Sequence, residues 1–240
     1  MNLLVKLTLM LHIAAGFLAL FVGLVPMLTK KGNRLHTVSG RIFYWCMGAV
    51  CLTAIYLVFF KPSTVFLLFI ALLSFYFCFT GRRILRLKKS KVPFSRTDQV
   101  VAYLALGSSL VMAGLGVQAV MHWFSTGTLS VFGLLYFFFA GLLFANARYD
   151  IILFRHPEKA RNGKMEWFYG HITRMSGSYI ATVTAFMTVN TRFLPVHHFL
   201  VDLAAWTLPG LIGGILIGRT IRYYKEKKKG DPRKAQTAMA

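Results

Sequence analysis

Seven runs of the chain are each apolar over roughly twenty residues or more, the length at which a helix crosses the hydrocarbon core of a bilayer. They fall at about 3–28, 38–60, 62–82, 99–122, 129–154, 167–190 and 198–221. The expected fold is therefore all-α, a polytopic membrane helical bundle of about seven transmembrane helices. Composition agrees, with 56% hydrophobic and 15% charged residues and a mean hydropathy of +0.58, outside the range of soluble globular domains. Lys61 and Pro62 punctuate the second and third runs, and Pro195 stands just before the seventh, where a proline suits a helix start. The first run is longer than the core of a signal peptide and lacks a small-residue cleavage pattern, so a retained span is expected.

The net charge of +21 would suggest a nucleic-acid partner if it were spread over a soluble surface. Its distribution argues otherwise. Of the 28 Lys and Arg residues, 25 fall in alternate connections, 29–41, 82–96, 148–174 and the tail from Arg219, against Lys6, Lys61 and Arg192 on the other side. The positive-inside rule then puts the N-terminus outside and the C-terminus in the cytoplasm. Residues 1–222 form the expected transmembrane domain. Residues 223–240 form a basic cytoplasmic tail, expected to be disordered, for which anionic headgroups are the natural partner; topology anchoring alone also accounts for its charge. Cys46, Cys51 and Cys78 lie inside apolar runs with no CxxC spacing, and read as small apolar residues without a disulfide or zinc role.

Chemistry must come from the polar residues inside the runs. In Trp167–Asn190, His171, Arg174, Ser178 and Thr182 recur at spacings that share one helix face. A cation there must face a partner helix, a cofactor or water. His12 has Gly16, Ala19 and Gly23 on its face, and His36 has Gly40, Phe43 and Met47 on its own. Asn33 is the expected N-cap, which puts His36 in the first turn of its helix. H-x-x-x-G thus occurs twice, once toward each membrane face, with room beside each imidazole for a flat group or a close-packed helix. The fourth run carries Gly107, Gly114, Gln118 and His122 on one stripe. The seventh carries His198 and Asp202 one turn apart, an arrangement that orients an imidazole. Asn146 and Asp150 close the fifth run at the same spacing. His156 reads as a solvated loop histidine, and His197 as interfacial. In the seventh run Gly210, Gly214 and Gly218 clear a groove behind Pro209, a position expected to kink the helix. The groove suits packing inside the bundle or a homodimer face.

No HExxH, GxSxG, P-loop or dinucleotide fingerprint is present. With only seven acidic residues, a two-metal or carboxylate-dyad hydrolase is disfavoured. No metal site is expected beyond haem ligands.

The segments LHIAAGFLALFVG, KKGNRLHTVSGRIF and GHITRMSGSYIATVTAF resemble a bacterial membrane family catalogued as domain of unknown function twenty-three-oh-six. Its pattern falls here on His12; on His36, Gly40 and Arg41; and on His171, Met175, Ser178 and Tyr179. Arg174 stands where many members have Trp. The resemblance implies a multi-span protein of a bacterial cell membrane and carries no established reaction. A weaker similarity of pattern is to b-type membrane cytochromes, which hold haem between paired histidines on helices.

The leading expectation is a haem-binding transmembrane electron carrier. His36 and His171 would form the inner pair, and His12 with His122 or His198 the outer pair, each holding haem b. The alternative is a small-solute or ion transporter. Its outer polar site would be Asp202, His198, Gln118 and His12, and its inner site His171 and Arg174. A metal-dependent lipid enzyme and a plain assembly partner rank below both. The reading turns on whether the second and sixth helices are adjacent.

Overall fold

The computed structural model describes residues 2–88, 94–127, 131–156, 165–195 and 199–230. Seven long α-helices make up the bundle: α1 (Leu3–Leu28), α2 (Arg34–Val58), α3 (Val65–Arg83), α4 (Arg96–Thr126), α5 (Val131–Arg155), α6 (Glu166–Asn190) and α7 (Phe199–Gly230). No strand occurs among the described residues. Six of the helices are long and apolar enough to cross a membrane. The exception is α6, whose histidine, arginine and hydroxyl side chains lower its hydropathy; it packs against α1, α3 and α7 instead.

The sequence of α3, VFLLFIALLSFYFCFTG, is apolar nearly all round, and such a helix belongs at the centre of a bundle. It is the most buried helix, touching α2, α4 and α6, while α1 and α7 turn most of their surface outward. Phe66, Phe69, Ile70 and Leu73 of α3 pack with Met112 of α4, Phe139 and Leu143 of α5, and Trp206 of α7. A second cluster joins Ala19, Phe43, Met47 and Cys78 with Met175 and Tyr179. Outside these cores, large apolar side chains such as Leu52, Phe124 and Ile215 are exposed. A surface of that kind suits hydrocarbon rather than water.

Local chemistry sets the helix ends. α2 starts four residues before its apolar run because the Asn33 side chain accepts the His36 backbone N–H at 2.7 Å, which places His36 in the first turn as the sequence suggests. α4 opens on a capping box between Ser95 and Asp98, with the Asp98 carboxylate also gripped by Arg83 of α3, and closes on Gly127 at φ 71°. Replacing Asp98 by Ala removes the carboxylate half of the capping box and the α3–α4 clamp. A loss of about 1–2 kcal/mol is expected, measurable as earlier unfolding of the detergent-solubilised protein, with Ser95→Ala smaller. α7 continues through Pro209 as one element to Gly230. The start of the basic tail is therefore helical, and residues 231–240 lie outside the described set.

The glycine groove of α7 needs a correction. A Cβ added at Gly210, Gly214 or Gly218 would meet nothing within 4 Å, whereas one at Gly213 would strike Ile180 of α6. Packing inside the bundle uses Gly213, because α7 rests on α6 through the face that carries it. All three cysteines are free, with Cys51 and Cys78 buried and Cys46 half-buried.

Candidate functional site: a histidine pair at the basic end

The ends of α1 and α3 and the starts of α2 and α6 meet where the lysines and arginines are concentrated. The last carbonyls of any helix lack an intrahelical donor and must find one elsewhere. At the end of α1 the Pro26 carbonyl accepts from His36 Nδ1 at 3.1 Å and from Lys31 Nζ at 2.7 Å. At the end of α3 the Gly81 carbonyl accepts from His171 Nδ1 at 2.8 Å. A carbonyl can only accept, so in both rings Nδ1 carries a proton, and in the neutral tautomer Nε2 holds the lone pair. Among the described residues no hydrogen bond engages either Nε2.

The two imidazoles, one on α2 and one on α6, lie close together in an edge-type arrangement, with ring centroids 6.2 Å apart and planes inclined at 63°. Contact between the two helices continues inward. Phe43 and Tyr179 lie 6.2 Å apart by ring centroid, and the Thr182 hydroxyl lies 3.4 Å from the Met47 sulfur. Tyr179 also donates to the Leu20 carbonyl of α1 at 3.0 Å. His36, Phe43 and Met47, one stripe in the sequence, thus meet His171, Tyr179 and Thr182 on the facing stripe. Ala19, Phe43, Met47, Cys78 and Met175 make an apolar floor.

Gly81 has a second role. A Cβ there would sit 3.0 Å from the Arg174 Cβ and 3.1 Å from the Met175 side chain, so its absence lets α3 approach α6 closely enough for the carbonyl to hold His171. Gly81→Val is expected to cost about 1–3 kcal/mol by overpacking and to release the His171 ring. The ring's release is observable as a change in the pH titration of the His171 imidazole by NMR. At Gly40, one turn beyond His36, an added Cβ would meet nothing within 4 Å, which leaves that flank of the ring open.

Arg174 is held differently from the rest of its stripe. It is 6% exposed and forms a two-pronged pair with Asp150 of α5, Nη1 to Oδ2 at 2.7 Å and Nη2 to Oδ1 at 2.5 Å. Tyr76 of α3 donates to the same carboxylate. The guanidinium at depth is thereby neutralised. Ser178, fully buried, meets Ser74 of α3, whose hydroxyl donates to the Ser178 carbonyl at 3.0 Å.

The outer residues do not converge in the same way. His12 Nδ1 lies 2.8 Å from the Thr53 hydroxyl. That hydroxyl donates to the Ala49 carbonyl at 2.7 Å, so it accepts from His12, whose ring also has the Val50 backbone as a hydrogen-bond partner. Gln118 and His122 are exposed on α4, which packs on α5 and α3, and Asp202 is exposed on α7. Among the described residues no hydrogen bond joins any two of His12, Gln118, His122 and Asp202. His197 and His198 lie outside the described residues. No group of three or more His, Cys, Asp or Glu side chains that could hold a metal ion occurs among the described residues.

Sequence reasoning missed Lys31 as a neighbour of His36, Thr53 as the partner of His12, and the Asp150–Arg174–Tyr76 network. The last was within reach. An arginine inside an apolar run needs an acidic partner at its own depth, and Asp150 closes the preceding run at a similar distance from the same end.

Together these features define a membrane-type helical bundle whose basic end carries two imidazoles oriented by helix-terminal carbonyls. No protein-family model, curated protein or solved structure matches the chain.

Proposed function

We propose that the protein is a transmembrane electron carrier of a bacterial cell membrane that binds haem b between His36 and His171. The observation that carries the reading is the matched pair of rings, each fixed by a helix-terminal carbonyl at Nδ1 and each free at Nε2. Two imidazoles on opposite sides of one metal atom need centroids roughly 6 Å apart when metal–nitrogen bonds are about 2 Å, and the observed 6.2 Å agrees. The surroundings also fit a large flat ligand, with an open flank at Gly40 and an apolar floor from Ala19 to Met175.

Haem iron held by two imidazoles exchanges single electrons, at a potential set by its ligands and their hydrogen bonds. The chain's own part is orientation and exclusion. The carbonyls of Pro26 and Gly81 hold the rings and raise their basicity as outer partners of ligating histidines do. Phe43, Met47 and Tyr179 keep water from the inner side. The outer half has no matching pair among the described residues, since His12 is bonded to Thr53 of α2 and His122 lies exposed on α4. The transporter reading ranks second, because its inner cation, Arg174, already has its charge matched by Asp150.

Titrating the purified protein with ferric protoporphyrin IX tests the basic-end site. The expected result is tight binding that His36→Ala and His171→Ala each abolish and that the exposed-site variant His122→Ala leaves intact. Equal binding by all four proteins would refute the assignment.

A further inference from the structure

Lys31 lies in the connection between α1 and α2, and its ammonium and the His36 ring share one acceptor, the Pro26 carbonyl. A second contact of the ammonium, to the Met27 carbonyl at 3.2 Å, completes its hydrogen-bond partners among the described residues. No carboxylate pairs with Lys31 among the described residues, where Asp98 and Asp150 pair with Arg83 and Arg174. The side chain is half-buried, and burial holds its pKa below the usual lysine value. A partly desolvated cation beside two imidazoles, with no acid among the described residues to balance it, is an electrostatic cost unless a ligand supplies negative charge.

We infer that Lys31 is the carboxylate anchor of the basic-end site. It takes the acidic edge of the bound porphyrin while His36 and His171 take the metal. This rests on the haem reading and adds orientation to it: the propionate edge would face the basic end, and the apolar edge the floor around Phe43 and Met175. A lysine near a helix C-terminus also caps terminal carbonyls, so the test must separate capping from anion binding.

Ferric protoporphyrin IX and its dimethyl ester, which lacks the carboxylates, are titrated into wild type, Lys31→Gln and Lys31→Arg in the same detergent. Lys31→Gln is expected to weaken the acid form about tenfold, as loss of a charge-assisted contact does. It should leave the ester unchanged, and Lys31→Arg should stay near wild type for both. Ester binding serves as the folding control for each variant. If Lys31→Gln weakens both ligands alike, or neither, Lys31 is only a cap and the inference fails while the histidine site stands. If wild type binds neither porphyrin, the haem site falls and this inference with it.

Discussion

Asp150→Ala is expected to destabilise the bundle by about 3–5 kcal/mol, the usual result of stripping one partner from a buried ion pair. Arg174 keeps its charge at any accessible pH, and both side chains of the pair are 7% exposed, so the guanidinium would be stranded at depth. Tyr76, which donates to the same carboxylate, would lose its acceptor as well. The double replacement Asp150→Leu with Arg174→Met removes both charges together and should recover most of the loss, since apolar substitutes for buried pairs are often neutral or stabilising. Thermal unfolding in detergent measures all three proteins. A single variant as stable as wild type would mean that the pair is hydrated rather than buried.

The second large effect falls on ligand binding. His171→Ala is expected to lower porphyrin affinity by at least a hundredfold, the order seen when even an outer partner of a metal ligand is lost, since here the ligand itself goes. Fold stability should change far less, because among the described residues the ring's only hydrogen bond is to the Gly81 carbonyl. Free imidazole added in solution should restore part of the binding by filling the vacated position. Thr182→Val, three residues beyond Tyr179 and about three turns from His171, with contacts among the described residues only to Met47 and the Ser178 carbonyl, should leave affinity near wild type. A loss of binding in Thr182→Val equal to that in His171→Ala would indicate that α2–α6 packing, and not ligation, is being read.

Much of this architecture is legible in the residues. Apolar length marks the helices, six of them long and apolar enough to cross a membrane, and Asn33 marks the start of α2, whereas the Ser95 cap of α4 went unread. The stripe from His36 to Met47 points to a partner because imidazole, glycine and thioether recur at helical spacing. Which helix receives that stripe is not legible: it depends on α3 being apolar all round and taking the centre, which brings α2 and α6 together on its flank. The orienting groups were equally hidden, because they are the backbone carbonyls of Pro26 and Gly81, and no side-chain pattern announces a free carbonyl. The glycines of α7 mislead for a related reason. Spacing identifies a groove without saying which side of the helix meets the bundle, and Gly213 rather than Gly210, Gly214 or Gly218 turned out to lie against Ile180.

The most direct measurement is the reduced-minus-oxidised absorbance spectrum of the full chain purified from a haem-replete host. The account predicts a Soret band and the sharp visible bands of six-coordinate, bis-imidazole iron, lost in both His36→Ala and His171→Ala. A protein without a Soret band in either redox state, or with a spectrum that survives both replacements, would contradict it.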